Sequence, residues 1–490
     1  MTNAPYQLII GLEVHVQLST ESKLFCGCST RFGAPPNTQV CPVCLGMPGS
    51  LPVMNQRAVD LAIRTGLAIH CQIAEMTKWD RKNYFYPDLP KGYQISQFDT
   101  PICFEGYLDL PTAEDADPKR VRILRAHLEE DAGKSMHDEV AGKADSRIDL
   151  NRTGTPLLEI VSYPDMTSAD QAKSFLTELR LLLTYLGVSD CNMQEGSLRV
   201  DANVNLHIVE DGRQLATPIV EVKNMNSFRA VERALVYEEQ RQWSAWQQAR
   251  QQKGQVPKQT RGWDDAAGVT LPQREKEESS DYRYFPDPDL VPLRIARATV
   301  DAAAAALGEM PAQLRLRLEG EHGLKAYDAE VIVSQGQDTV DYFLAAVAAG
   351  APAKRISSWI QQDVLRTLKE RDWSISQLPV DAGRLAQLVS AIEHNEFDTS
   401  RGKELFQYWC ENPEVDLAAA RQALGIATVD LGEIETLCRE LLEENPHVVQ
   451  QVRAGNAKAL GSLIGAAKKK NPNADPRQVR ELCEQMIRSS

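Results

Sequence analysis

The sequence predicts an α+β protein, with a strand-rich amino-terminal part followed by an all-helical remainder. Up to about residue 293, short runs of alternating apolar and polar residues are separated by Gly, Pro, Asn and Asp, which is typical of strands and turns. After the Pro-rich segment 286–292 the composition shifts to Ala, Leu, Gln and Arg at helical spacing. With 490 residues, of which 43% are hydrophobic, the chain can form two to four domains.

Composition and charge argue against several classes of protein. No run of eighteen apolar residues occurs, and the amino terminus lacks a basic stretch followed by an apolar one, so we expect a cytoplasmic protein without a membrane anchor. The net charge of −14 argues against a protein that coats nucleic acid non-specifically, because phosphate binding needs Lys and Arg. An RNA partner would therefore be bound through a local basic patch or by its shape.

Four of the ten cysteines are spaced as metal ligands. A Cys-x-Cys pair and a Cys-x-x-Cys pair flank a loop of twelve residues that is rich in Gly and Pro, and the four positions are Cys26, Cys28, Cys41 and Cys44. Two close thiolate pairs are the ligands that tetrahedral zinc requires. Four protein ligands leave no open position for water, so we expect a structural zinc site. Four buried free cysteines are the alternative, which this spacing disfavours.

The first predicted strand carries acid and histidine side chains on one face. Residues 8–18 alternate after Gly11, so Glu13, His15 and Gln17 project together, while the opposite face is apolar and consists of Leu12, Val14, Val16 and Leu18. A solvated face more usually carries Lys, Thr and Glu. An acid beside a histidine favours a ligand pair.

The same pattern recurs along the strand-rich part. Four further predicted strands carry polar side chains: His127, Glu129, Glu130 and Asp131; Glu159; Asp201, Asn203 and Asn205; Glu221 and Lys223. Together they indicate a sheet whose concave side gathers oxygen ligands for Mg²⁺ and, through it, the phosphates of a nucleotide. A Walker A loop is excluded, since Leu128 stands where its first glycine should be. No Gly/Ser-rich nucleophile loop, and hence no glutaminase machinery, is present.

The helical remainder contains apolar stripes that we interpret as core packing. They comprise Ile356, Trp359, Ile360, Val364 and Leu368; Leu385, Leu388, Val389 and Ile392; Ile434, Leu437, Cys438, Leu441 and Leu442; and Val479, Leu482, Cys483 and Met486. Between the last two stripes lie Lys458 and the run 468–470. Such lysines are usually a solvated helix end, although they also suit a phosphate backbone.

Several segments, in order, resemble the B subunit of the Asp/Glu-tRNA amidotransferase. They are residues 11–18, the cysteine pairs, 80–94, 129–135, 149–154, 195–203, 221–229 and 281–289. The resemblance covers essentially the whole chain. It implies a catalytic cradle related to glutamine synthetase, with a mostly antiparallel sheet, over residues 1–293. A helical domain over 294–412 and a small tail similar to the YqeY family over 413–490, which recognises tRNA, would follow.

The resemblance also implies a reaction and partners. In that family the B subunit uses ATP to phosphorylate the side-chain carboxylate of misacylated Glu-tRNA(Gln) or Asp-tRNA(Asn). A glutaminase A subunit supplies ammonia through a channel, and a small C subunit completes a heterotrimer. The product is Gln-tRNA(Gln) or Asn-tRNA(Asn), so the enzyme is a glutamine-dependent ligase. Which tRNA is used in the cell stays open.

Residue roles follow from the resemblance position by position. The Mg²⁺ and ATP site matches Glu13, His15, Glu130 and Glu159, the zinc site matches Cys26, Cys28, Cys41 and Cys44, and weaker candidates for phosphate or channel contacts are Arg199, Asp201 and Lys223. Strand alternation alone would place His127 and Glu129 on one face and Glu130 on the other, so the choice of Glu130 depends on the family. Tyr163 stands where the family commonly has Glu.

Two rival interpretations remain. The archaeal-type glutamyl-specific paralogue carries an inserted domain, for which the stretch between residues 230 and 294 leaves no room. A zinc-stabilised tRNA-binding adaptor without activity is the second rival. The retained acid and histidine positions argue against it.

Overall fold

The computed structural model of the chain describes residues 5–111, 118–137, 146–273, 282–427 and 431–489. Of the family segments quoted above, only Asp281 lies outside this part. The chain forms two compact units, Met1–Met310 and Pro311–Ser490.

The first unit contains all of the described strands and four helices. The strands are β1 (Tyr6–Gln17), β2 (Gln72–Ile73), β3 (Met76–Thr77), β4 (Asp80–Asn83), β5 (Tyr93–Ser96), β6 (Cys103–Leu110), β7 (Lys119–Glu130), β8 (Lys134–His137), β9 (Ser146–Asp149), β10 (Pro156–Ser162), β11 (Leu198–Glu210), β12 (Arg213–Ala216), β13 (Val220–Lys223), β14 (Gln259–Asp264), β15 (Val269–Pro272), β16 (Phe285–Pro286) and β17 (Leu293–Arg294). The helices are α1 (Gln56–Ala68), α2 (Ala169–Tyr185), α3 (Phe228–Ala249) and α4 (Arg297–Ala305).

One large sheet organises this unit. Among the described residues it has 13 strands, ordered β15-β14-β13-β11-β1-β10-β7-β5-β4-β16, with β12 beside β11, and with β6 joining β2 to β7. Every described pair in it is antiparallel except β13 with β14. The strand β1 is central, between β10 and β11. The predicted α+β class and mostly antiparallel sheet are confirmed.

The apolar face of β1 lies in the core, as its alternation predicted. Leu12, Val14 and Val16 are at most 1% exposed, and Leu18 is 3% exposed. These side chains belong to one cluster with residues of α1, α2 and α3, and the helices α2 and α3 pack against each other. The opposite face of β1 is left for polar side chains.

Helix α3 begins directly after a loop that borders the polar face. The side chain of Ser227 accepts a hydrogen bond from the Ala230 N–H and caps the helix. Just before this cap, Asn224 adopts a left-handed backbone conformation with φ 66°, which Asn tolerates better than most residues. The cap and the turn together fix the position of the loop 224–226.

Helices are the regular secondary structure of the second unit among its described residues. Its α-helices are α5 (Pro311–Gly320), α6 (Ala326–Val333), α7 (Gln337–Ala348), α8 (Ala353–Trp359), α9 (Leu365–Arg371), α10 (Ala382–Glu393), α11 (Thr399–Glu411), α12 (Leu417–Ala423), α13 (Leu431–Glu444), α14 (Pro446–Arg453), α15 (Leu460–Lys470) and α16 (Pro476–Ser489). A π-helical turn, Ile360–Val364, joins α8 to α9, and short 3₁₀ turns occupy Ile375–Gln377 and Ala457–Ala459.

The predicted apolar stripes of this unit are buried. Ile356, Ile360 and Val364 are fully buried, as are Leu385 and Leu388. A separate cluster formed by α13 to α16 contains Ile434, Cys438, Leu441, Val479 and Cys483, with Leu437, Leu482 and Met486 packed against it. The interpretation of these stripes as core packing is confirmed.

The first unit extends to Met310. Ile295 and Val300 pack in its core, beyond the composition change at residue 293. The domain borders at 293 and 412 stay predictions. In the part of the chain that the structure describes, no helix is long and apolar enough to cross a membrane.

Candidate active site and thiolate cluster

Four polar side chains form a row across the centre of the sheet. His15 on β1 lies opposite Arg199 on β11 and opposite Glu159 on β10, and Glu159 lies opposite His127 on β7. Directly opposed residues of antiparallel strands have Cβ atoms about 5 Å apart. The register therefore brings together residues that are far apart in the sequence.

A histidine and two carboxylates converge within this row. The Nε2 atom of His15 lies 3.6 Å from Glu129 Oε1 and 3.8 Å from Glu159 Oε2. The ligand atoms of these three residues all lie within 4.8 Å of one another. Carboxylate oxygens are the donors that Mg²⁺ prefers, so the set fits a divalent cation, which the imidazole nitrogen could also contact.

His127 contacts the carboxylates of Glu129 and Glu159 through its Nε2 atom. Its Nε2 lies 3.2 Å from Glu159 Oε2 and 3.8 Å from Glu129 Oε2. Burial alone would lower the pKa of His127, but Glu159 and Glu129 raise it to about 9. Burial would raise the pKa of Glu159, and His127 instead holds it low. The sequence pattern located His127 without giving it a role, and strand alternation is the feature that groups it with Glu129.

Glu130 lies outside this cluster. Its carboxylate pairs with the Lys91 ammonium and accepts a hydrogen bond of 3.1 Å from the Ile95 N–H. Successive residues of a strand point to opposite faces, so Glu129 and Glu130 cannot both face His15. The structure brings Glu129, and not Glu130, to His15 and Glu159. Strand alternation left the choice between these two residues open, and the family resemblance pointed to Glu130.

Glu13 belongs to a neighbouring acidic cluster. Its carboxylate lies with those of Asp201 and Glu221, all within 4.8 Å, and it accepts a hydrogen bond of 2.8 Å from Asn203. The Lys223 ammonium lies 2.5 Å from Asp201 and 3.0 Å from Glu221. Burial would lower the pKa of Lys223, but these two carboxylates raise it. Glu13, Asp201 and Lys223 are thus together, beside His15 but in a separate group.

Asp131 anchors Arg199 at the edge of the row. The carboxylate of Asp131, only 2% exposed, lies 2.8 Å from Arg199 Nη2, 3.5 Å from Arg152 Nε and 2.8 Å from Gln17 Nε2. Burial would raise the pKa of Asp131, and the two guanidinium groups lower it. The Arg199 Nε is buried without a hydrogen-bond partner among the described residues. Arg199 is therefore held in place with donor capacity to spare.

Lys82 adds a second cation beside the acids. Its ammonium lies 4.9 Å from the centre of the Tyr282 ring and 5.7 Å from that of Tyr84. Burial would lower the pKa of Lys82, but the charge of Glu129 raises it. The sequence included Lys82 only within the segment 80–94. Its proximity to the acids depends on the pairing of β4 with β5 and β5 with β7.

Two adjoining cavities lie over this face. The first, of about 390 Å³, is lined by several of the acids and cations described above, among them His15, Lys82, Glu129, Asp131 and Lys223. The second, of about 410 Å³, is lined by residues of the cysteine loop and the loops near 150 and 195, among them Arg31, Phe32, Lys134, Asn151, Arg152 and Glu195. Met193, Arg199 and Asn226 line both cavities. The space is suited to two polar ligands that meet near Arg199.

The four predicted cysteine ligands converge. The Sγ atoms of Cys26, Cys28, Cys41 and Cys44 all lie within 4.8 Å of one another. The Cys41 N–H donates a hydrogen bond of 3.2 Å to Cys44 Sγ, an interaction that stabilises thiolate. A closed set of four sulfur donors fits zinc and leaves no position for a reacting water.

The tail lysines and Tyr163 lie in ordinary surface interactions. Lys468 pairs with Asp398, and Lys470 lies 2.7 Å from Glu444, whereas Lys458 and Lys469 are exposed. The Arg122 guanidinium lies 4.5 Å over the Tyr163 ring. Tyr163 does not line either of the two cavities in the described part of the chain.

Known proteins are similar to this chain over nearly its full length. The family model of the GatB/GatE catalytic domain matches residues 8–301, and that of the GatB domain matches residues 341–487. The B subunit of an aspartyl/glutamyl-tRNA(Asn/Gln) amidotransferase from Rhodopirellula baltica is 59% identical over 483 residues, covering 99% of this chain and 97% of the relative. The same protein from Chlorobium phaeobacteroides is 46% identical over 484 residues, covering 98% and 99%.

The match to the GatB/GatE catalytic domain spans the large sheet that carries histidine and carboxylates on one face, and it defines the chain as an enzyme component with a catalytic domain of this type. The matches extend over nearly the full chain. The chain belongs to the family of aspartyl/glutamyl-tRNA(Asn/Gln) amidotransferase B subunits. Membership confirms both the predicted resemblance and the predicted ligase class.

Proposed function

We propose that this chain activates the side-chain carboxylate of a misacylated tRNA with ATP and then converts it to the amide. A carboxylate oxygen attacks the γ-phosphorus of ATP, ADP leaves, and an acyl phosphate forms. Ammonia then attacks the carbonyl carbon and inorganic phosphate leaves. The observation that carries the proposal is the convergence of His15, Glu129 and Glu159 beside a cavity bordered by Lys82 and Arg199.

The acids and cations have complementary tasks in this reaction. Glu129, Glu159 and His15 would hold Mg²⁺, which when bound neutralises phosphate charge during transfer. His127 holds the two carboxylates in place and keeps Glu159 ionised. Lys82 and Arg199 supply positive charge to phosphate oxygens at the cavity wall. Glu13, with Asp201 and Glu221, adds a second oxygen-rich position near the same cavity.

Glu129, and not Glu130, is the metal ligand in this proposal. Glu130 is only 3% exposed and its carboxylate is already paired with Lys91. Zinc bound by the four cysteines would have a structural task, since the thiolate set is closed.

Family membership supports the proposed partners. The relatives are named as the B subunit of an amidotransferase acting with tRNA(Asn) and tRNA(Gln). We propose that a glutaminase A subunit supplies ammonia, that a small C subunit completes a heterotrimer, and that the complex works in the cytoplasm. The tail over residues 413–490 would bind the outer part of the tRNA, with Lys458 and Lys469 as exposed cations.

An isotope experiment tests the activation step. Glutamate labelled with ¹⁸O in its side-chain carboxylate is attached to tRNA(Gln) and supplied with ATP and glutamine to the assembled complex. We expect one ¹⁸O atom in each inorganic phosphate released, because the acyl phosphate transfers a carboxylate oxygen to phosphorus. Asp-tRNA(Asn) is assayed in the same way, and uncharged tRNA is the control.

An inactive adaptor gives a different result in that experiment. It would bind charged tRNA without forming labelled phosphate, and amidation would fail or proceed without ATP. Unlabelled phosphate released together with amidated product would contradict the proposed acyl phosphate.

The second cavity is our candidate for the charged 3′ end of the tRNA. It adjoins the first at Arg199, so a ligand there could present a carboxylate towards the phosphate cavity. Arg31 and Lys134 are exposed cations in its wall. They are suited to the phosphates of a terminal nucleotide.

Replacing either cation is expected to weaken use of charged tRNA. Arg31→Ala and Lys134→Ala should each raise the KM for Glu-tRNA(Gln) about tenfold, because one charged phosphate contact contributes about 1.4 kcal/mol. The KM for ATP should stay unchanged. Steady-state kinetics of the complex provide the measurement, and Arg213→Ala, an exposed cation on β12 that lines neither cavity, is the matched control. An unchanged tRNA KM in both variants would contradict this assignment.

A further inference from the structure

A lysine lies buried beside the thiolate cluster. Lys23 is 1% exposed and ranks among the largest fully buried side chains. It precedes Cys26 by three residues. Transfer of an ammonium group from water to a protein interior is costly unless a negative charge and hydrogen-bond acceptors replace the water. The environment of Lys23 must therefore contain both.

The contacts of the Lys23 ammonium identify its acceptors. Nζ donates to the Gln39 carbonyl oxygen at 2.8 Å, to the Leu150 carbonyl oxygen at 3.4 Å, and to Cys44 Sγ at 3.6 Å. Within the described ranges of the chain, no carboxylate pairs with this ammonium at ion-pair distance. The carbonyl groups are neutral, so Cys44 is the one contact that can carry a formal negative charge.

A zinc–thiolate cluster would carry the negative charge that the Lys23 ammonium requires. Four thiolates (−4) with one zinc ion (+2) leave a formal charge of −2, and the Lys23 ammonium (+1) reduces it to −1. Four neutral thiols would instead leave the ammonium buried without a counter-charge. The burial of Lys23 thus favours a metal–thiolate cluster over free cysteines, and it does so independently of cysteine spacing.

The two carbonyl contacts join the cluster to the wall of the cavities. Gln39 belongs to the cysteine loop, and its N–H donates to the Asn151 side chain at 2.8 Å. Leu150 precedes Arg152 by two residues, and Arg152 donates to the Ala132 carbonyl at 2.9 Å. Lys23 is therefore the point at which the sulfur cluster, the cysteine loop and the loop carrying Arg152 meet.

We propose that Lys23 is a positioning residue of the thiolate cluster. Its ammonium offsets part of the negative charge of the metal-bound form, and its hydrogen bonds fix the cluster to the loop 149–152. This function does not depend on which tRNA or nucleotide the protein uses. It concerns metal retention, and its failure would leave the proposed amidation intact.

The test compares zinc affinity in two variants of the full chain. Lys23→Met keeps an unbranched side chain of similar length and removes the charge, whereas Lys23→Arg keeps the charge. Competition with a chromophoric zinc chelator measures the dissociation constant. We expect Lys23→Met to bind zinc about 10- to 100-fold more weakly, as for the loss of other groups that support metal ligands. Lys23→Arg should retain affinity within about threefold.

Controls separate charge compensation from simple packing. Lys173→Met removes an exposed lysine on α2 and should leave zinc affinity unchanged. Thermal unfolding in saturating zinc reports the packing contribution of Lys23 separately. If Lys23→Met binds zinc as tightly as the unaltered chain and only its Tm falls, the residue merely fills space and the proposal is wrong. If Lys23→Met does not fold, Lys23→Arg decides: retained affinity supports the role of charge, and zinc loss from a folded variant refutes it.

Discussion

Glu129→Gln is expected to lower tRNA-dependent ATP hydrolysis about 1000-fold, because in the proposed function Glu129 holds the catalytic metal, and losing such a ligand forfeits about 4 kcal/mol of charge stabilisation. Glu129 faces His15 Nε2 at 3.6 Å, so a neutral amide there removes one of two carboxylates from the cluster. The affinity of the Glu129→Gln variant for tRNA should equal that of the unaltered chain, since Glu129 lines the first cavity and not the second.

Glu130→Gln is the matched control for this experiment. It alters the adjacent residue, on the opposite face of β7, and leaves the Lys91 ammonium without its carboxylate. Its effect should appear as a lower Tm, because breaking a buried ion pair is destabilising. Titration of each variant with Mn²⁺, followed by electron paramagnetic resonance, measures metal binding directly. Loss of Mn²⁺ binding in Glu130→Gln together with normal binding in Glu129→Gln would reverse our assignment.

Cys41→Ser is expected to release zinc and destabilise the first unit by about 4 kcal/mol or more, a magnitude typical of losing a bound metal. The serine hydroxyl does not replace a thiolate as a soft donor. The loop between the cysteine pairs would lose its constraint, and with it the contacts of Asn37 and Gln39 with residues 148–151. Zinc content, Tm and limited proteolysis of the loop provide the measurements.

Cys191→Ser tests whether the effect belongs to the cluster. Cys191 is 4% exposed and is not part of the four-cysteine group. The Cys191→Ser variant should retain its full zinc content. Its free energy of unfolding should fall only by the modest amount expected when a polar atom is placed in the core. Full zinc content and an unaltered Tm in Cys41→Ser would show that the thiolates do not hold a stabilising metal.

Local patterns were sufficient to predict much of the candidate site. Alternation in β1 separates Glu13, His15 and Gln17 from the buried Leu12 and Val14 without any knowledge of neighbouring strands. The cysteine spacing likewise predicts convergence of the four sulfur atoms, which the structure shows. Both signals arise within a few residues, where backbone geometry alone fixes the direction of the side chains.

Features that depend on strand pairing were not accessible from the sequence. The registers of His15 with Glu159 and of Glu13 with Asp201 join residues more than a hundred positions apart. No local propensity encodes such a register. The same reason explains why Lys82 and His127 received no role, and why the second cavity, formed by several separate loops, was not anticipated.

The choice between Glu129 and Glu130 required the strand pairing. Strand alternation placed the two residues on opposite faces without choosing between them, and the family resemblance pointed to Glu130. The structure places Glu129 beside His15 and pairs Glu130 with Lys91. On a strand, a displacement of one residue moves the side chain to the opposite face of the sheet.

The central position of β1 has an energetic consequence for the chemistry. Its backbone is hydrogen-bonded to β10 on one side and β11 on the other, and its apolar side chains are locked in the core. Such a strand separates from its neighbours only at a free energy close to that of global unfolding. The charged side chains that it carries are therefore fixed before a ligand binds, which lowers the reorganisation energy that the proposed phosphoryl transfer requires. Any movement that accompanies turnover is therefore expected in the surrounding loops.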